Sequence, residues 1–233
     1  MAAHSHGWWI ILHLALFVFW LGGDLGVFYS SRYVLRESLS VEARTTALKI
    51  MSGLDLAPKI CLVLFLPSGV TLMALDPHGA TLFGVPLFPL WSVILVWAFA
   101  LGWLALTVVA HTNPTLLVKR ADWAIRVGLV AAIGVAALYT LTAAEPFGVE
   151  TNPRWLGAKL ALYAVAIVAG LGIRLTLRSF GPAFAMLHAS GSTSEVELRL
   201  RRSVDGCLPY VWTIWGSVLA AAILGVLKPG ATL

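Results

Sequence analysis

Six stretches of the chain, at about residues 8–29, 56–75, 86–110, 123–144, 154–177 and 208–228, are apolar for long enough to cross the hydrocarbon core of a bilayer. That recurrence constrains the fold more than any other feature. Lipid offers no water to backbone N–H and C=O groups, so only helices and closed barrels can span it. A barrel needs apolar and polar residues alternating over about ten positions, strand after strand, and no such pattern recurs here. Charged residues make up 12% of the chain against 59% apolar ones, a balance far from that of a soluble domain. The expected fold is all-α: a polytopic membrane bundle of six transmembrane helices, a single integral membrane domain over residues 1–233. Gly22, Gly23, Pro67, Gly69 and Gly170 fall inside spans, where neighbouring helices can satisfy the freed backbone groups. The first span is too long and too aromatic for a signal peptide and is expected to stay in the mature protein.

Loop charge then orients the bundle. The connection 30–55 carries Arg32, Arg36, Arg44 and Lys49, the connection 111–122 carries Lys119 and Arg120, and 178–207 carries Arg178, Arg199, Arg201 and Arg202. The first seven residues and the 76–85 and 145–153 loops contain no Lys or Arg. The positive-inside rule puts the first set in the cytoplasm and both termini outside, an N-out/C-out arrangement in a bacterial plasma (inner) membrane. The net charge of +5 is spread over short loops rather than gathered in one stripe with aromatics, which argues against a nucleic-acid partner. Two cytoplasmic pieces have helical character, Val41–Leu54 and Ser194–Arg202, the second with acids first and bases later. Both are expected to lie at the headgroups with a solvated face. Of the ten Trp residues, Trp97, Trp103, Trp212 and Trp215 lie deepest, where they can line an interior.

Polar residues inside the spans mark the functional candidates. His13 and Asp24 are eleven residues apart, about three helical turns, and share one face with Trp20 between them. Such a face should point into a bundle, a cavity or a cofactor. By depth, His13 shares an outer level with Lys159 and Met73, while Asp24 shares an inner level with Lys59, Arg126 and Arg174. An isolated carboxylate in lipid is costly, so Asp24 is expected to pair with a base, Arg174 and Arg126 being the best placed. His111 ends the third span, about 20 Å from His13 in depth, too far to share one ion with it. His78 reads as an outer turn residue, and His4-Ser-His6 as a floppy tail whose imidazoles can catch Cu(II) or Zn(II). Cys61 and Cys207 fall at inner span ends, where a reducing cytoplasm disfavours a disulfide. No Cys-x-x-Cys pair, phosphate-binding glycine loop or Ser/His/Asp signature is present.

Several of these residues fall in a recognisable order. Leu12-His13, Trp20 seven residues on, Gly23, Phe28-Tyr29 and Arg32 resemble the first helix of the HemJ-type bacterial protoporphyrinogen oxidases and the related copper-resistance D (CopD-like) membrane domains. Leu48-Lys49-Ile50-Met51 with the proline-containing second span resembles that family's next segment. Trp155-Leu156-Gly157-Ala158-Lys159-Leu160 is similar to its Trp-x-x-x-Lys-Leu motif, and Arg201-Arg202, Pro209 and Val226-Leu227-Lys228-Pro229 to its last helix. The resemblance covers roughly residues 10–75 and 154–229, with spans three and four as an extra helix pair. It implies b-type haem (haem b) held with the help of His13, Arg32 and Lys159 on the carboxylates of haem or porphyrinogen, and electrons passing to a quinone or the respiratory chain. Trp20, facing the same way as His13, joins the candidate cofactor-binding set, and Met73 is a candidate second iron ligand. Two other readings compete with an oxidoreductase. One is a copper-uptake transporter using His4, His6, His13 and Met73. The other is an accessory subunit whose partners are other membrane subunits, or copies of itself.

Overall fold

In a computed structural model, residues 2–75, 90–113, 115–144 and 154–229 are described, and every regular element among them is helical. Six helices are long and apolar enough to cross a membrane. They are α1 (Ala2–Val34), α3 (Leu56–Leu75), α4 (Leu90–Thr112), α5 (Leu116–Thr142), α6 (Arg154–Thr176) and α9 (Leu208–Leu227). Three shorter helices, α2 (Val41–Leu54), α7 (Phe180–Ser190) and α8 (Ser194–Asp205), gather at one end, with a 3-10 turn at Leu177–Ser179 leading into α7. The second, fifth and sixth expected spans coincide with α3, α6 and α9 to within a residue. The expected start of the third span, and His78, lie outside the described residues.

Two boundaries move for physical reasons. α1 runs back through His6, so the expected flexible tail is helical there. α5 begins at Leu116, seven residues before the expected 123, because Thr115 caps it and accepts from the Val118 N–H at 3.4 Å. Lys119 and Arg120 stay exposed on that added turn, while Asp122 turns inward.

The six long helices form a ring. α1 packs on α3, α3 on α4, α4 on α5, α5 on α6, and α6 on α9, whereas α9 returns to α1 only sparsely. The core along the ring's interior includes Trp20, Val63, Ala100, Trp103, Ile167 and Val218. At Gly23 α1 approaches α3 closely: a Cβ there would sit 2.8 Å from Cδ of Pro58. Outward faces carry Trp8, Phe19, Trp91, Leu138, Trp212 and Val226 in the open. Water would not tolerate so much contiguous apolar surface on a monomer, but lipid does. Trp212 therefore faces outward rather than lining the interior.

The short helices do more than present a solvated face. Besides their exposed faces, α2, α7 and α8 have buried ones, which pack together with the end of α1 as a second core of Val34, Leu35, Phe184, Leu187, Val196 and Leu200. A buried ion pair holds its centre. Arg44 donates from Nη1 and Nη2 to the two oxygens of Glu197 at 2.7 and 2.9 Å, and from Nε to the Val34 carbonyl at 2.7 Å. Ser192 donates to Glu197 Oε1 at 2.6 Å, so both partners are satisfied. Neither charge can be read from local sequence as buried, because the partners are far apart along the chain.

The Arg44 guanidinium, bound through two hydrogen bonds, holds the Glu197 carboxyl below its ordinary range, with Ser192 adding to the effect. A carboxyl lowered on folding contributes stability above its unfolded range, and that contribution is lost as pH falls through the lowered value. The thermal stability of the detergent-solubilised protein should therefore fall on acidification, with Glu197→Gln flattening this dependence. Arg44→Ala, which leaves a buried carboxylate without its partner, should cost about 3–5 kcal/mol. Unchanged melting of Arg44→Ala would mean that the cap contributes nothing to stability.

Candidate functional site

A cavity of about 410 Å³ lies between α1, α3, α6 and α9. Its size falls in the range of small-molecule sites, and its wall is largely apolar with a few polar groups, as such sites commonly are. Seven-residue spacing puts His6, His13 and Trp20 on one face of α1, and all three line the cavity. Met73 joins them from α3 and Lys159 from α6. Of the five candidate cofactor residues read from the sequence, four (His13, Trp20, Met73 and Lys159) are thus brought to one cavity, with His6 beside them. Arg32 is not. It sits at the capped end, 3.6 Å from Asp205 and 4.7 Å above the Phe28 ring.

The His13 ring is held on two sides. Phe65 meets it edge-on with centroids 4.6 Å apart, and Nδ1 lies 2.8 Å from Ser68 Oγ. The serine hydroxyl has one proton, and it is directed to its own helix, 2.7 Å from the Leu64 carbonyl and 3.2 Å from that of Phe65. Ser68 Oγ therefore accepts from His13 Nδ1–H, and the network assigns the lone pair to Nε2. That is the tautomer in which an imidazole binds a metal through Nε2, oriented by a hydrogen bond at the other nitrogen.

Lys159 reaches across to α9. A Cβ at Gly225 would lie 2.7 Å from its ammonium, so the glycine makes the room that the side chain occupies. No carboxylate among the described residues is within ion-pair distance of Lys159. Close by, the Lys228 ammonium stands 5.8 Å from the Trp155 ring centroid. His6 contributes a buried Nδ1 that has no partner among the described residues. The wall thus combines an oriented imidazole, a thioether, an ammonium group and aromatic rings.

Below the cavity, Trp20 Nε1 donates to Asp24 Oδ2 at 3.1 Å. The expected base for Asp24 is absent among the described residues, because Arg126 and Arg174 are engaged elsewhere. Both bind Asp122, which is fully buried (0% exposed). Arg126 Nε donates to Asp122 Oδ2 at 3.0 Å, and Arg174 donates to the same oxygen. Oδ1 accepts from Trp103 Nε1 at 3.1 Å and from Thr107 Oγ1 at 3.4 Å. The Arg126 guanidinium also lies 5.3 Å from the Trp103 ring centroid, a cation–π contact that helps a second positive charge stay buried. Apolar length alone misses Asp122, because it leaves this residue at the end of the 111–122 connection. The four-residue spacing of Asp122 and Arg126, matched by Trp103 and Thr107 on α4, is the signal that marks it.

His111 lies at the end of α4 remote from His13, with its Nδ1 3.3 Å from Lys59 Nζ, while Lys59 also pairs with Asp55. Cys61 and Cys207 are free and buried.

No protein-family model, curated protein or solved structure matches this chain.

Asp122→Ala leaves two arginines facing each other in the bundle and should cost about 3–5 kcal/mol, seen as loss of folded protein on detergent extraction. Asp24→Ala removes one hydrogen bond from an indole and should cost about 1 kcal/mol. If Asp24→Ala is the more damaging of the two in thermal melts, the assignment of the arginines to Asp122 is wrong.

Proposed function

We propose that this protein is a b-type haem-binding membrane redox protein, similar to the HemJ-type protoporphyrinogen oxidases and CopD-like proteins, with its haem in the cavity around His13. The observation that carries this reading is that one cavity is lined by an imidazole whose Nδ1 is engaged by Ser68, by a thioether, and by an ammonium with no carboxylate in ion-pair reach among the described residues. These residues fit haem b. The iron needs an imidazole in an apolar pocket, and its propionates need a cation at the rim.

His13 Nε2 would hold the iron, Ser68 would keep the ring in orientation, and Met73 would serve as a second iron ligand. Lys159 would bind a carboxylate of haem or of a porphyrinogen, and Trp20 would close the floor. Haem supplies one-electron transfer when bound, with a quinone or the respiratory chain as the acceptor. Arg32, at the capped end, has no part in this site. The site would lie in the outer half of a bacterial inner membrane, with both termini outside, as the loop charges indicate.

A second reading, copper uptake, draws support from His6, His13 and Met73 lining the same wall. Transport would need soft ligands continuing toward the capped end, and the wall below His13 turns to Trp20 and Phe17 instead. An accessory-subunit role would use the outward apolar faces against other membrane subunits.

Oxidised and dithionite-reduced spectra of the purified protein test the proposal. A Soret band is expected in the wild type and absent in His13→Ala at an unchanged elution volume. Ser68→Ala should weaken haem retention by about tenfold, and Met73→Leu should change the reduced spectrum without emptying the site. A wild type lacking the band after expression with ample haem supply overturns the redox reading.

The orientation is checked separately. A phosphatase reporter, active only outside the cytoplasm, should work when fused at residue 233 and be silent at residue 190. The opposite pattern would reverse the bundle.

A further inference from the structure

α1 and α9 converge at one end of the bundle and part toward the other. At the capped end Phe28 packs on Trp215 and Trp212 with centroids 5.7 and 6.4 Å apart, and Arg32 reaches Asp205. Farther out, each helix turns to a different neighbour. α1 engages α3 through His13, Trp20 and Phe65, while α9 receives Lys159 from α6 at Gly225. The two helices touch only sparsely along their length. Between their parted ends lies the cavity, whose wall includes Leu14 on α1 and Val226 on α9. Leu14 is 49% exposed and Val226 76% exposed. Side chains that line a cavity and also face outward belong to its mouth. Ala221, Ala222 and Gly225 keep the α9 side of that mouth shallow.

For a bundle of apolar helices the outside at this level is hydrocarbon, not water. We infer that the gap between α1 and α9 is a lateral portal through which the cavity takes a membrane-dissolved amphiphile, its apolar body between the helices and its carboxylate on Lys159. Charge complementarity sets the class. Lys159 on the wall has no carboxylate within ion-pair distance among the described residues, and a long apolar body suits Ile10, Leu14 and Phe17. A neutral lipid would leave the ammonium uncompensated in a low-dielectric wall. The inference takes from the proposed function only that the cavity holds a ligand. A protein without haem that passes the test below keeps its portal, and a haem-bearing one that fails it does not.

The test uses the full chain in phospholipid vesicles and a long-chain fatty acid carrying a photoactivatable diazirine, with adducts mapped by peptide mass spectrometry. Adducts are expected on Leu14 and Phe17 of α1 and on Ala221 and Ala222 of α9. Unlabelled fatty acid should compete about tenfold better than its methyl ester, and Lys159→Met should erase that preference. Ala222→Trp should deplete the adducts, while Leu219→Trp, on an exposed face that does not line the cavity, should not. Should Ala222→Trp fail to fold, a short bismaleimide joining Leu14→Cys to Ala222→Cys blocks the same gap. Labelling spread evenly over outward faces such as Phe19 and Leu138, or unchanged by blocking the gap, overturns the portal. Equal competition by acid and ester overturns the anionic ligand.

Discussion

One carboxylate ties three helices together. Asp122 on α5 takes hydrogen bonds from Trp103 and Thr107 on α4, from Arg126 on its own helix and from Arg174 on α6. Placing a charge there is expensive, and only a nearly complete shell of donors offsets the cost. The arrangement has little tolerance: a helix that slid by one turn would strand a charge in an apolar medium. The register of α6 follows from it. That register sets the height at which Lys159 and Tyr163 enter the cavity, and Tyr163 in turn donates to the Leu62 carbonyl of α3 at 2.6 Å. The helix pair α4 and α5 thus acts as a brace behind the four helices that surround the cavity.

The molecule has two centres built by opposite means. At the capped end, a bidentate Arg44–Glu197 pair sits inside a small core made by short helices. Around the cavity, aromatic rings, a thioether and small residues form a wall on which Lys159 has no carboxylate in ion-pair reach among the described residues. The first is closed, with donors and acceptors matched. Among the described residues, the second has polar capacity left over on Lys159 and His6, which is where ligand chemistry belongs.

The long helices were legible in the sequence because lipid demands unbroken apolar length, and α3, α6 and α9 appear almost residue for residue. Much of the cavity wall was legible too, since helical depth placed His13, Met73 and Lys159 at one level. Pairing was not. Asp24 and Asp122 are both acids beside apolar runs, and choosing which one meets Arg126 and Arg174 requires knowing which faces turn toward each other. Depth alone made Asp24 the candidate. Helix rotation gave the arginines to Asp122 and left Asp24 with an indole. The cap was missed for a related reason, because Arg44 and Glu197 lie on amphipathic segments whose local pattern suits a headgroup surface equally well.

Pro67 gives the His13 contact a mechanical side. A proline inside a helix cannot donate to the carbonyl four residues back, so α3 lacks one rung of its ladder beside Val63. Ser68, the very next residue, spends its hydroxyl on the Leu64 carbonyl and its oxygen on the imidazole. One turn on, Thr71 binds the Pro67 carbonyl and receives the Trp97 indole of α4. The histidine is therefore tethered to the most pliable turn of its neighbour, and that turn is tethered to the brace. A tug on the ring would flex α3 at the turn that the Trp97 indole of α4 holds.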